Sequence, residues 1–132
     1  MNPSELRFLV VDDYPGLRRL AVMALADLGH PPADTASDGQ EALEKLRGGH
    51  YDFVLTDLRM PRLDGFGLLR AIKADPTLRH LPVIVMSAND PSQYADLSAR
   101  LGAAGYLTKP VMRPALEEAI RKALADLGQS SG

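Results

Sequence analysis

The sequence predicts an α/β fold, with parallel strands forming one doubly wound sheet and helices covering both of its faces. Three observations carry that expectation. Short apolar runs alternate with amphipathic stretches along the whole chain, five of each. The runs are apolar nearly throughout, as suits strands buried on both faces. No linker, repeat or low-complexity stretch interrupts the series, so consecutive βαβ units of one domain follow.

Leu6 to Val11 reads as the first strand, ending at Asp12 and Asp13. Pro15 suits the first turn of a helix, where its missing N–H would have had no partner. Leu17, Leu20, Ala21, Ala24, Leu25 and Leu28 then form one apolar stripe at helical spacing, which Gly29 terminates. Ala33 to Ala36 is a weak second strand behind two prolines. Asp38-Gly39 opens a second helix with Ala42, Leu43 and Leu46 apolar, and Gly48-Gly49 stops it. Tyr51 to Leu55 is a third strand, running out at Asp57. After a polar loop through Pro61 and Asp64-Gly65, Phe66, Leu68, Leu69 and Ile72 mark a third helix. Pro82 to Met86 is the fourth strand, closed by Ser87, and Pro91 to Leu101 a less apolar fourth helix. Gly105 to Thr108 is a short fifth strand before Lys109-Pro110. Pro114 starts the last helix, with Leu116, Ile120, Ala123, Leu124 and Leu127 facing inward.

With 132 residues, 45% of them hydrophobic, the chain has the size and composition of one globular domain with its own core. It has no cysteine, which excludes disulfides and thiolate chemistry. The apolar runs are too short to span a bilayer, and the start lacks the pattern of a signal peptide. A cytoplasmic protein without membrane contact is expected. The net charge of −2 offers no basic field for a phosphate backbone, so direct nucleic-acid binding is not expected. The histidines His30, His50 and His80 lack metal-ligand spacing and read as surface residues.

In open α/β sheets, ligands bind beyond the carboxyl ends of the strands. Asp12 and Asp13 stand at the first such end, Asp57 at the third, Ser87 at the fourth and Lys109 at the fifth, so all five groups should converge on one edge. Clustered carboxylates repel one another, and a hard divalent cation removes that penalty. Mg²⁺ favours a few carboxylates, several waters and a phosphate. Lys109 adds a positive charge for phosphate and Ser87 a hydroxyl. Together they describe phosphoryl transfer to a carboxylate. Each residue also has a bland reading: the acidic pair as a helix cap, Asp57 as a loop acid, Lys109 as a solvated loop lysine.

The chain resembles the response-regulator receiver family through Val10-Val11-Asp12-Asp13, Leu55-Thr56-Asp57-Leu58-Arg59-Met60-Pro61, Met86-Ser87-Ala88 and Gly105-Tyr106-Leu107-Thr108-Lys109-Pro110. The likeness runs from about Leu6 to Leu127, and the lack of a second domain is similar to the single-domain chemotaxis type. It implies a five-stranded, flavodoxin/CheY-like sheet in the order 2-1-3-4-5 with five helices, over a receiver domain at 1–128. Residues 129–132 are taken as a disordered tail of the kind an expression vector leaves.

The resemblance further implies a role for each residue. Asp57 is the phospho-acceptor, fed by a histidine kinase or a phosphotransfer protein. Asp13, Asp57 and the Arg59 carbonyl hold Mg²⁺, with Asp12 acting through water. Ser87 and Lys109 contact the phosphoryl group, while Ser87 and Tyr106 form the switch. The Lys109–Pro110 bond is cis. Output to a downstream protein goes through the fourth helix, fifth strand and fifth helix, from a monomer or a phosphorylation-dependent dimer. Such a chain is a signalling switch and not an enzyme beyond its own phosphorylation and dephosphorylation. An aspartyl phosphatase is the rival reading, but it calls for an acid near the nucleophile, where this chain has Arg59. A degenerate docking-only receiver is the other, against which all the matching polar residues are present. The segment 90–95 resembles the motor-binding surface of chemotaxis regulators poorly, which sets a flagellar partner apart from the switch itself.

Overall fold

The computed structural model describes residues 6–88 and 92–131. Five strands alternate with five helices: β1 (Phe8–Val11), α1 (Pro15–Asp27), β2 (Asp34–Ala36), α2 (Gly39–Gly48), β3 (Phe53–Asp57), α3 (Gly65–Ala74), β4 (Val83–Ser87), α4 (Ser92–Arg100), β5 (Gly105–Thr108) and α5 (Arg113–Ser131). The strands form one parallel sheet in the order β2-β1-β3-β4-β5. Strand order reverses between β1 and β3, which makes the carboxyl edge there the expected ligand crevice.

Alternation along each strand divides the core in two. Phe8, Val10, Leu55 and Ile84 face one way and pack with Ala21 and Leu25 of α1 and Leu116 and Ile120 of α5. Their neighbours Leu9, Val11, Val54 and Val83 face the other way, onto Leu43 and Leu46 of α2 and Leu68 and Ile72 of α3. Successive side chains on a strand point to opposite faces, so a run apolar at every position needs cover on both. α4 is anchored differently. Among its described side chains only Ser98 is fully buried, and its hydroxyl donates back to the Tyr94 carbonyl at 2.8 Å.

Helix ends follow local chemistry. Asp38 caps α2 by accepting from the Glu41 N–H, and Asp64 caps α3 by accepting from Gly67. Gly29, just past the α1 cap, takes φ +94°, a conformation that favours glycine. The third strand lies two residues later than Tyr51–Leu55. Tyr51 and Asp52 are occupied elsewhere, Tyr51 donating to Asp34 at 2.7 Å and Asp52 accepting from the Arg7 N–H at 2.8 Å. Pro91, the expected start of the fourth helix, lies outside the described residues.

Four expectations are corrected. Leu20 is 46% exposed, because the sheet-facing stripe of α1 centres on Ala21, Ala24 and Leu25 and Leu20 lies at its margin. Leu127 is 37% exposed. At 1.5 Å per residue α5 runs for roughly 28 Å, about twice the span of β5, so its last turns overhang the sheet. The backbone of α5 also continues through Ser131, into the tail expected to be disordered. Gly128 weakens a helix by about 1 kcal/mol but removes no donor, so it need not end one. The fourth concerns His30, which is buried instead of exposed, its ring 5.0 Å from that of Phe8.

Nδ1 of His30 accepts the Leu6 N–H at 3.3 Å, and burial holds its pKa below the usual 6.5. A protonated ring cannot accept that bond. The folded form therefore favours neutral His30, and its contribution is present above pH 6.5 and lost as pH falls through the lower folded value. His30→Leu should flatten thermal stability against pH in that acid range. It should also cost about 1–3 kcal/mol at neutral pH by orphaning the Leu6 donor. Melting curves across the range would reveal an unchanged pH slope if this were wrong.

Candidate functional site

Register aligns the strand ends. Val11 pairs with Thr56, Asp57 with Met86 and Ser87 with Thr108, so residues 12, 57, 87 and 109 reach one edge. Asp12 is fully buried, with Oδ1 accepting from the Tyr14 N–H at 2.9 Å. Tyr14 is the N-cap of α1 and makes no side-chain cap bond, so neither acid of the pair sits at the cap position itself.

Lys109 joins the ends. Its Nζ lies 2.7 Å from Asp12 Oδ2 and 3.0 Å from Asp57 Oδ1, with side chains 7%, 1% and 11% exposed, respectively. A solvated loop lysine would not be shut between two carboxylates. The Lys109–Pro110 bond is cis, as expected. Asp57 Oδ1 also accepts from the Leu58 N–H at 2.8 Å. Burial pushes the Asp57 carboxyl above the ordinary carboxylate range; Lys109 opposes the shift and Asp12 reinforces it.

Asp13 is exposed, and with Asp12 and Asp57 it offers carboxylate oxygens within 4.8 Å of one another. Three hard oxygen donors, one of them facing solvent, fit a divalent cation that keeps part of its water. The cleft above them, about 500 Å³, is lined by Asp13, Tyr14, Asp57, Arg59, Ser87 and Lys109. All the expected site residues except Tyr106 line this cleft or its carboxylate floor. Tyr106 lies instead in a groove with Ala104 and Leu107 of the β5 segment and Ala115 and Ala119 of α5, its hydroxyl oxygen buried.

The loop from Asp57 to α3 is held on two sides. Gly65 packs so closely that a Cβ there would stand 2.4 Å from the Asp57 carbonyl oxygen, and its N–H donates to the Leu58 carbonyl at 2.8 Å. On the other side Arg62 pairs with the buried Asp38 carboxylate at the start of α2. Arg62 takes φ +66°, rare for a residue with a side chain. This clamp has no signature in the sequence, since its partners are 24 residues apart in two loops. Asp38→Ala should lower stability by about 0.5–2 kcal/mol through the lost cap. It should also speed amide exchange across 58–64. Exchange confined to the start of α2 would show that the clamp does not reach the loop.

The fold and this edge together define a domain of the receiver type. The family model described as "Response regulator receiver domain" matches residues 8–121, and the chain belongs to that family. It is 39% identical over 117 residues to chemotaxis protein CheY of Pseudomonas aeruginosa, covering 89% of this chain and 94% of that one. It is 38% identical over 119 residues to chemotaxis protein CheY-3 of Vibrio cholerae, covering 90% and 92%. A response regulator receiver domain protein from Clostridium thermocellum superposes with a TM-score of 0.81 at 32% identity, over 92% of this chain and 95% of that one. Vibrio cholerae CheY4 gives 0.81 at 26% identity, over 90% and 98%.

Proposed function

We propose that this chain is the phospho-acceptor of a two-component system, with Asp57 taking a phosphoryl group from a histidine kinase or phosphotransfer protein. The observation that carries this reading is Lys109 bridging Asp12 and Asp57 at 2.7 and 3.0 Å on the strand edge. A carboxylate oxygen of Asp57 attacks phosphorus, the bond from phosphorus to the donor nitrogen breaks, and an aspartyl phosphate remains. Lys109 would meet a phosphoryl oxygen, and the Ser87 hydroxyl another. Asp13, Asp57 and the Arg59 carbonyl would hold Mg²⁺, with Asp12 acting through water. When bound, the ion supplies charge neutralisation to the transferring group.

The chain then works as a switch in the cytoplasm and catalyses only its own phosphorylation and dephosphorylation. Ser87 and Tyr106 would carry the change to a downstream protein on the face of α4, β5 and α5, from a monomer or a phosphorylation-dependent dimer. No helix among the described residues is long and apolar enough to cross a bilayer.

Acetyl phosphate supplies the test. With Mg²⁺ it should add a single phosphoryl group, seen by intact mass, and chelation with EDTA should abolish the gain. No incorporation in Mg²⁺, or undiminished incorporation in EDTA, would overturn the reading.

A further inference from the structure

Arg59 has a side chain with no part in the chemistry described so far. It lines the cleft beside Asp57, Ser87 and Lys109. Its guanidinium, however, rests on α4: the central carbon lies 5.9 Å from the centroid of the Tyr94 ring, and one nitrogen donates to the Tyr94 hydroxyl at 3.4 Å. Phe66 of α3 meets the same ring edge-on, with centroids 6.1 Å apart. Tyr94 is therefore gripped between a cation from the acceptor loop and a phenyl ring.

The grip is weak on the side of the cation. A donor–acceptor separation of 3.4 Å is at the outer edge of hydrogen bonding, and an exposed cation–π contact is modest. A phosphoryl group in the cleft would offer better partners. Charge-assisted bonds from a planar guanidinium are roughly twice as strong as neutral ones and form in pairs.

Charge balance points the same way. Three carboxylates and Lys109 carry two net negative charges, which one divalent cation cancels. Replacing the Asp57 monoanion with a dianionic acyl phosphate leaves one negative charge unmatched. The charge of Lys109 is already counted in that balance, and Arg59 is the other cation lining the cleft among the described residues.

We propose that Arg59 is a two-position phosphoryl sensor: it holds α4 through Tyr94 in the unphosphorylated domain, and leaves the ring for the phosphoryl oxygens once Asp57 is modified. The inference rests on the acceptor role proposed above. It gives α4 a second link to the site, separate from Ser87 and Tyr106. Arginine suits it because a lysine keeps the charge but loses the planar fork and stacks less well.

The test follows the Tyr94 ring by NMR in the full chain, with its resonances assigned from Tyr94→Phe. Beryllofluoride with Mg²⁺ serves as the phosphoryl mimic, and acetyl phosphate labelling of the wild type checks the acceptor role separately. In the wild type the ring signals should shift on adding beryllofluoride. In Arg59→Ala they should stand near the shifted position beforehand and lose the response. Arg59→Lys should respond only in part. Tyr94→Leu, which touches no reacting atom, should still take label at Asp57. It should also raise amide exchange over 95–100 roughly two- to fivefold without any phosphoryl group, the range an exposed cation–π contact supports. A wild-type domain that labels at Asp57 yet shows no Tyr94 shift would overturn the sensor and leave the acceptor role standing. The same shift in Arg59→Ala as in the wild type would also overturn it. Failure to label at all would remove both.

Discussion

Asp57→Asn should take up no phosphate from acetyl phosphate or a phosphorylated kinase, and its intact mass should stay at the unmodified value under conditions that label the parent. The side chain keeps its shape but loses the nucleophilic carboxylate, and an amide nitrogen is no substitute. Asp12 cannot replace it, being fully buried beneath Lys109. Asp13 is exposed to solvent, whereas the ion pairs of Lys109 are with Asp12 and Asp57. The substitution should leave the domain at least as stable as before. Burial disfavours the charged form of Asp57, so a neutral isostere relieves a penalty at neutral pH. Lost labelling in a protein with an unlowered thermal midpoint separates a missing nucleophile from a broken fold. Undiminished phosphate uptake would remove Asp57 from the acceptor role.

Lys109→Met is expected to have the largest effect on stability. Methionine fills similar volume, but two buried carboxylates then face each other across the space of the ammonium. Removing one partner of a buried ion pair typically costs about 3–5 kcal/mol. That corresponds to roughly 10–20 °C in thermal midpoint for a domain of this size. Mg²⁺ should recover part of the loss. For the parent chain, a hundredfold excess over the dissociation constant is worth about 2.7 kcal/mol. Phosphoryl transfer should slow on the order of 10²-fold or more, as when one preorganised donor is removed from a charge-stabilising site. Calorimetry with and without Mg²⁺ tests the first part. A variant that melts with the parent in EDTA would show that the bridge contributes no stability.

The residues that announce themselves in the sequence do so through local pattern. An apolar run that stops at Asp57, Ser87 or Lys109 marks a strand end wherever the strand lies in the sheet, so the site could be assembled before its geometry was known. Sheet order came with the family resemblance. The bonds from Lys109 depend on register between distant strands, and the spacing of the acids foretold their company but not their contacts. The burial of His30 is decided by Phe8 and the backbone of Leu6, some two dozen residues away, so no local pattern marks it. Leu20 and Leu127 show the limit of periodicity, which gives the face of a helix but not where the sheet beneath it ends. The Arg62–Asp38 and Arg59–Tyr94 contacts join loops and helices far apart in the chain. Nothing in either segment alone marks the other.

The shallow seating of α4 bears on how sharply the domain can signal. A helix with one fully buried side chain among those described, and that a serine, has little apolar area to hold it in a single position. Two placements of such an element are separated by a small gap. A gap of about 1.4 kcal/mol would put roughly a tenth of the molecules in the minor placement before any phosphoryl group arrives. Basal output would then be a property of the resting domain. To raise that tenth to nine-tenths, a modification must favour the second placement by about 2.7 kcal/mol, within reach of one or two charge-assisted hydrogen bonds. The domain would act as a rheostat more than a latch, its range set by how loosely α4 is held as much as by the chemistry at Asp57.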